Sequence, residues 1–291
     1  MKMLFLLAAA SCTSDEKMIV PDVYVTFSPV MTTNTRITPR GGTPFSVWAH
    51  SLPEKQKWHT ATSAPAALLE NEPIGYSDGA WQPVPHCYWP SGHLLTVHAL
   101  LPQSEKNGFG IGCGLTITGF DIYSDPVPYF TGTVADCDRR TNAGCIPLLF
   151  TPALSKVDIE AHTTVSADSV IKIKSIAMGN IAYKGDFASL PSPHWECSSE
   201  TAVLQFVESP VALTDKTAVI GSLMTMPQTV FSPLVLVVDI CDKDGNVLVA
   251  DKTIATSKIN DKWEVGKYVT YSLVVSTDAV KFSTDLLNRY R

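Results

Sequence analysis

The stretch Val170-Ile171-Lys172-Ile173-Lys174-Ser175-Ile176 alternates apolar and polar side chains from Ile171 to Lys174 and ends on Ile176. A period of two residues is typical of a β-strand with one buried face, because successive side chains point to opposite faces. The rest of the chain predicts further strands, at residues 23–27, 45–49, 94–100, 115–120, 201–207, 219–224, 230–240 and 268–275.

The connections between these runs also favour β-structure. The chain holds 20 prolines and 17 glycines, and Asp242-Lys243-Asp244-Gly245-Asn246 is a hairpin-turn signal. Residues 66–69 are helix-compatible, but no helical periodicity extends beyond two turns. Many short strands separated by turn signals predict an all-β fold built from β-sandwiches.

Length and charge limit the function. At 291 residues the chain can hold two ordinary domains, and we predict one at residues 12–165 and another at 166–291. The formal charge is −6, and no block is rich in lysine or arginine. Nucleic acid is therefore not an expected partner, because its binding requires neutralisation of phosphates.

The N-terminus predicts export. An apolar run of about ten residues follows Lys2, which is too short to span a membrane and typical of a secretory signal. Its end, Ala9-Ala10-Ser11-Cys12, resembles the box of bacterial lipoproteins, which implies a signal peptide at residues 1–11 and a lipid on Cys12. The mature protein would then meet the outer membrane only through this lipid.

An isolated strand follows the signal. Val23, Val25 and Phe27 alternate with polar or half-polar residues, and Ser28-Pro29 is expected to end the strand. The polar tract after it carries Arg36 and Arg40 and is predicted to be an exposed loop.

No catalytic, metal or cofactor motif is present in the sequence. The seven histidines fall in unrelated segments, without paired metal-ligand spacing, and no nucleophile elbow or phosphate loop occurs. We expect neither an enzyme nor a bound cofactor. Apart from Cys12, six cysteines remain, an even number that permits disulfides in 15 different pairings.

Several stretches in order resemble the fimbrillin-like proteins, the surface lipoproteins of the Bacteroides group that build type V pili. They are the lipoprotein start, the strand before the arginines, Phe45-Ser46-Val47-Trp48-Ala49, Cys87-Tyr88-Trp89-Pro90, residues 149–157, and Gly266-Lys267-Tyr268-Val269-Thr270-Tyr271-Ser272-Leu273. The chain departs from this pattern at Pro152, where the family often has histidine, and in its six mature cysteines.

The resemblance implies two tandem transthyretin-like β-sandwiches and a processing step. An arginine-specific protease would cut after Arg36, or after Arg40, and remove a first strand within residues 19–40. A strand from another pilus subunit would fill the groove. The donor candidate is the C-terminal run with Val280, Phe282 and Leu286, whose alternative role is a permanent strand of its own domain.

A different class of function is a surface lipoprotein that binds glycans. Trp81 and Trp89 lie eight residues apart in a proline-rich piece and are the candidate pair for stacking on sugars, whereas the alternative is that the tryptophans pack in cores or at corners. A glycan-binding lipoprotein should retain glycan in a pull-down as the intact chain, whereas a pilus subunit, found at the outer membrane and in the fimbrium, should form laddered oligomers after trypsin treatment.

Overall fold

The computed structural model describes residues 23–32, 42–124, 126–166, 168–207 and 209–287. Within them the fold is all-β, with two 3-10 turns (Trp58–Thr60 and Asn142–Gly144) and no α-helix. The strands are β1 (Thr26–Met31), β2 (Phe45–Pro53), β3 (Ala66–Ser77), β4 (Ala80–Pro83), β5 (His93–Leu101), β6 (Asn107–Gly110), β7 (Gly114–Asp121), β8 (Phe130–Cys137), β9 (Cys145–Pro152), β10 (Ser155–Thr163), β11 (Ser169–Ala182), β12 (Lys184–Ala188), β13 (His194–Cys197), β14 (Thr201–Gln205), β15 (Val211–Ala212), β16 (Ala218–Thr225), β17 (Thr229–Ser232), β18 (Leu234–Asp242), β19 (Val247–Ala255), β20 (Ile259–Lys262), β21 (Tyr268–Val275) and β22 (Val280–Leu287).

Seven strands close into a barrel in the order β1-β4-β3-β2-β5-β8-β9. Its interior is an apolar cluster whose members come from residues 25–150, among them Phe45, Leu95 and Phe150. β1 is the strand that completes the barrel, because it lies between β4 and β9.

The other sheets share a second and larger core. One has the order β16-β10-β21-β22, another β14-β11-β18-β19 with β15 beside β11, a third β13-β12-β7-β6, and β17 pairs with β20. Pairing crosses the predicted boundary after residue 165, since β10 bonds to β16 and β21, and β7 bonds to β12. Trp48 and Leu100, on the outer face of the barrel, also belong to the second core.

One local tendency is overridden and one local prediction is wrong. The helix-compatible residues 66–69 form the start of β3, because they pair with β2 at Ala67 and Leu69. Ser28-Pro29 does not end β1, which continues to Met31. The Val25 N–H bonds to Cys87, on the β4 side, and the Thr32 N–H bonds to Phe150 of β9. Because N–H groups alternate sides along a strand, the N–H position of residue 29 falls on the β4 side, where β4 pairs only with Phe27. A proline there removes no bond from the ladder.

The predicted hairpin turn at residues 242–246 is confirmed. It joins β18 to β19, with the Gly245 N–H donating to the Asp242 carbonyl and the Asn246 N–H donating to the Asp242 carboxylate. Gly245 has a φ of 88°, which an L side chain rarely adopts.

Candidate functional site

β1 is held on both of its edges by backbone hydrogen bonds. It pairs in parallel with β9 at six consecutive positions, from Thr26 opposite Cys145 to Met31 opposite Phe150. On the other edge, Phe27 lies opposite Trp81 and Tyr24 forms a bridge with Tyr88. The β4 edge is therefore the less completely paired of the two.

The segment just before β1 is bonded mainly to residues 87–89. The Val25 N–H donates to the Cys87 carbonyl at 2.8 Å, and the Trp89 N–H donates to the Val23 carbonyl at 2.8 Å. Gly144 fits closely against this segment, because a Cβ at residue 144 would lie 3.0 Å from the Tyr24 carbonyl oxygen and would overlap the Val23 side chain. A glycine at residue 144 is thus needed for the strand to dock.

The inward side chains of the strand belong to the barrel core. Val25 is fully buried and Phe27 is 3% exposed, while Val23 packs partly buried against the same cluster. The Phe27 ring meets Phe45 edge-on, with centroids 6.0 Å apart. Phe45 in turn contacts Trp81 and Phe150, so the ring of Phe27 closes an aromatic layer across the barrel.

Removal of residues 23–31 would therefore leave a defined groove. Its edges would be β4 and β9, both with unpaired backbone groups, and its floor would be apolar. Ile146, Leu148 and Phe150 of β9 are buried along it, alternating with outward residues such as Leu149. The sequence alone did not identify these β9 residues as part of the site, because residues 146–150 are all apolar and their alternating burial shows only in the structure.

The outward face of the strand carries an aromatic cluster. Tyr24 is 43% exposed, and its ring lies 4.9 Å from Tyr88 and 4.8 Å from His86. Tyr88 is also half-exposed.

The predicted processing sites lie outside the described residues. This applies to the lipidation candidate Cys12 and to the cleavage candidates Arg36 and Arg40. The described residues end at Thr32 and resume at Gly42, before β2.

The C-terminal candidate β22 is an edge strand of the second core. It pairs with β21 along its whole length, from Val275 opposite Val280 to Tyr268 opposite Leu287. Val280 and Phe282 pack partly buried against that core, and the backbone of Leu286 lies opposite Val269. A tight turn connects the two strands, with the Ser276 N–H donating to the Ala279 carbonyl.

The two tryptophans predicted as a sugar platform are buried. Trp81 is 8% exposed and Trp89 is 5% exposed, and both pack in the barrel core. The Trp89 indole N–H donates to the His93 carbonyl at 3.1 Å. Their rings are occupied by the core, so this pair does not form an exposed stacking surface.

The described part of the chain gives no sign of a metal site. No group of three or more His, Cys, Asp or Glu side chains in it is placed to hold an ion.

The six cysteines after Cys12 are all free thiols. Burial and the neighbouring Asp136 raise the pKa of the Cys137 thiol to about 11, which keeps it protonated. No helix among the described residues is long and apolar enough to cross a membrane.

The sequence of the chain matches one family of known proteins. The family model described as fimbrillin-like matches residues 33–286. No curated protein sequence matches the chain.

Solved structures share the fold. A fimbrial protein from Bacteroides vulgatus ATCC 8482 superposes with a TM-score of 0.71 at 16% identity, over 91% of this chain and 99% of that one. Candidate cell adhesion proteins from Bacteroides uniformis ATCC 8492 and Bacteroides ovatus ATCC 8483 give TM-scores of 0.58 and 0.56, each at 11% identity over 91% of this chain and 96% of theirs.

Proposed function

The chain belongs to the fimbrillin-like family, and from that premise we propose that it is a structural or adhesive subunit of a type V pilus that assembles by donor-strand exchange. The observation that carries this proposal is the position of β1, the N-terminal strand that closes the barrel between β4 and β9. A strand at the start of a chain can leave without disturbing the order of those that follow.

Burial gives the exchange its driving force. Val25 and Phe27 lie at 0% and 3% exposure, and fully burying an apolar side chain of this size contributes about 1.5–3 kcal/mol. Loss of β1 would expose this groove floor and leave the edges of β4 and β9 unpaired. An unpaired edge beside an apolar trough is a template for a strand from another chain.

We propose that the incoming strand is β22 of a second subunit. Its apolar positions Val280, Phe282 and Leu286 recur every second or fourth residue, as Val23, Val25 and Phe27 do on the strand that it would replace. As an edge strand joined by a four-residue turn, β22 can separate from β21 while the strands before it stay in place.

The processing steps complete the proposal. The precursor would be exported with the signal at residues 1–11, lipidated on Cys12 and held at the cell outer membrane by that lipid. An arginine-specific protease would then cut after Arg36, the first arginine past the strand, or after Arg40. Release of the N-terminal segment that ends at the cut arginine would separate the subunit from the lipid on Cys12. The subunit would then join the fimbrium. The role is structural and needs no cofactor.

We also propose that the sheets correspond to two tandem transthyretin-like sandwiches, at residues 12–165 and 166–291. The barrel cluster supports a division into two units, because all of its members precede residue 151, although Val157 and Ile159 of β10 pack in the second core. The pairing of β7 with β12 and of β10 with β21 would then connect one unit to the other.

Limited trypsin digestion of the full chain tests the proposal. N-terminal sequencing should give a start at Ile37 or Gly41, and light scattering after gel filtration should show oligomers. The double variant Arg36→Gln/Arg40→Gln should remain uncut in this segment and monomeric. A chain that starts at Ile37 or Gly41 and still stays monomeric at high concentration would contradict strand exchange.

A further inference from the structure

A cleft of about 540 Å³ lies on the outer face of the barrel, away from β1. Its lining includes Trp48 and His50 of β2, Glu70 and Asn71 of β3, and Phe109 and Ile111 at the β6 turn. This volume is within the range of small-molecule sites, which is about 300–1,000 Å³.

A β-bulge brings the polar residues of this cleft together. Val47 pairs with Glu72 and Ala49 pairs with Leu69, so the single residue Trp48 faces both Glu70 and Asn71. Asn71 adopts a φ of 48°, in the left-handed region that asparagine tolerates better than most residues. Bulges re-aim side chains and are over-represented beside functional sites.

Two polar atoms at the cleft have no partner among the described residues. They are Nδ1 of His50 and Oδ1 of Asn71, both shielded from solvent. His50 is 8% exposed. Leaving a buried polar atom unsatisfied is costly, so native proteins rarely retain one without a reason.

A second cleft shows the contrast. It is of similar volume, about 570 Å³, and is lined by Trp195, Gln228 and Trp263 among others. Two of its polar side chains bond within the fold: the Gln228 amide bonds to both backbone groups of Ala182, and the Trp195 indole donates to the Ala153 carbonyl. No unpartnered buried atom belongs to the residues that line it.

We propose that the cleft at the bulge binds a saccharide residue. His50 and Asn71 can each donate and accept a hydrogen bond, which matches hydroxyl groups, and the Glu70 carboxylate accepts from further hydroxyls. The Phe109 ring, tilted over His50 at 5.1 Å and over Trp48 at 6.4 Å, offers an apolar wall for the sugar ring.

The charge of the lining residues favours a neutral ligand over an anion or an organic cation. Glu70 is the one ionised side chain among the lining residues, and no lysine or arginine is among them, which disfavours an anion. The cationic group of an organic ammonium ion accepts no hydrogen bond and would leave the donor groups of His50 and Asn71 unused. A neutral polyhydroxyl ligand uses both kinds of group.

Binding is tested on the full, uncut chain by saturation-transfer NMR. The probes are methyl α-D-mannopyranoside, methyl β-D-galactopyranoside, methyl α-L-fucopyranoside and N-acetyl-D-glucosamine, with choline as the cation. We expect saturable binding of at least one saccharide at concentrations up to about 10 mM, the range of weak single-site affinities.

Variants locate the site. Asn71→Gly keeps the left-handed backbone accessible and removes the amide, and Glu70→Gln removes the charge; each should weaken binding at least tenfold. The matched control Glu264→Gln, in the second cleft, should leave affinity within twofold. Circular dichroism verifies the fold of each variant. The proposal is overturned if no saccharide binds, if choline alone binds, or if binding survives both cleft variants.

Discussion

Phe27 is the side chain on which the occupancy of the groove depends most. Its ring completes the layer formed by Phe45, Trp81 and Phe150. Alternation in the sequence was enough to predict that Phe27 faces inwards. The partners were not predictable, because they come from strands that are distant in sequence and meet only when the barrel closes. The burial of Trp81 and Trp89 agrees with the expectation that most of the tryptophans pack in cores or at corners.

Truncation of this ring should destabilise the uncut chain strongly. Phe27→Ala removes a side chain that is 3% exposed, and comparable truncations cost about 3–5 kcal/mol in the free energy of unfolding. Val30→Ala, on the same strand but at a position that is 53% exposed, should change it by no more than about 0.5 kcal/mol. Urea unfolding followed by tryptophan fluorescence measures both, and equal losses would show that the ring does not act through burial.

A second property of a single residue is the lowered pKa of a buried histidine. His98 is 7% exposed, its ring stacks on Phe109 at 4.4 Å, and its Nδ1 lies 3.3 Å from the Thr133 hydroxyl. Burial, and to a lesser degree the neighbouring His50, lower the pKa of His98 from 6.5 to about 4. Burial also lowers the pKa of His50, against an opposing effect of Glu70.

These shifts predict that stability rises with pH between about 4 and 6.5. In this window the unfolded chain binds more protons at His98 than the folded chain does, so acidification favours unfolding. For His98 the loss from pH 7 to 4.5 should be about 2.5 kcal/mol, at 1.36 kcal/mol per pKa unit. The Arg140 hydrogen bonds to Asp138 lower the pKa of that carboxyl to about 2, so its titration lies below the window.

Urea unfolding at pH 4.5 and at pH 7 measures this slope. The variant His98→Gln should be less stable at pH 7 but should lose less on acidification, and the lowered pKa of His50 should leave a smaller slope of the same sign. A chain whose stability is the same at both pH values, or a variant with an unchanged slope, would contradict the assignment.

At the scale of elements, the sequence predicted most strands and missed how some of them pair. The alternation at residues 170–176 and the turn at 242–246 are local signals, and both correspond to observed elements. The parallel pairing of β1 with β9 has no local signal. Residues 66–69 were helix-compatible by composition, and pairing with β2 overrides that preference.

The two faces of β22 should differ in their effect on assembly. Phe282→Asp places a charge on the apolar face, which would be buried both against the subunit's own core and in a neighbour's groove. It should abolish oligomers after trypsin digestion. Ser283→Asp changes the adjacent exposed position and should leave them intact. Gel filtration with light scattering separates the outcomes, and equal assembly by the two variants would exclude β22 as the donor.

At the scale of the molecule, the fold places the removable strand and the donor candidate in different cores. β1 belongs to the barrel, whereas β22 lies at the edge of the sheet that contains β10 and β21. The sequence predicted an all-β chain with a first strand at one end and a donor at the other. It did not predict the closed barrel or the pairs that cross residue 165, because these depend on contacts between distant strands.

A photo-cross-link at residue 282 tests the central proposal most directly. Benzoylphenylalanine replaces Phe282, an aromatic change at an aromatic position, and isotope-labelled and unlabelled chains are mixed, digested with trypsin and irradiated. We predict mixed-isotope cross-links between residue 282 and the groove strands β4 or β9 of another chain, and links within one chain in the uncut control. Cross-links confined to a single chain after digestion would contradict donor-strand exchange.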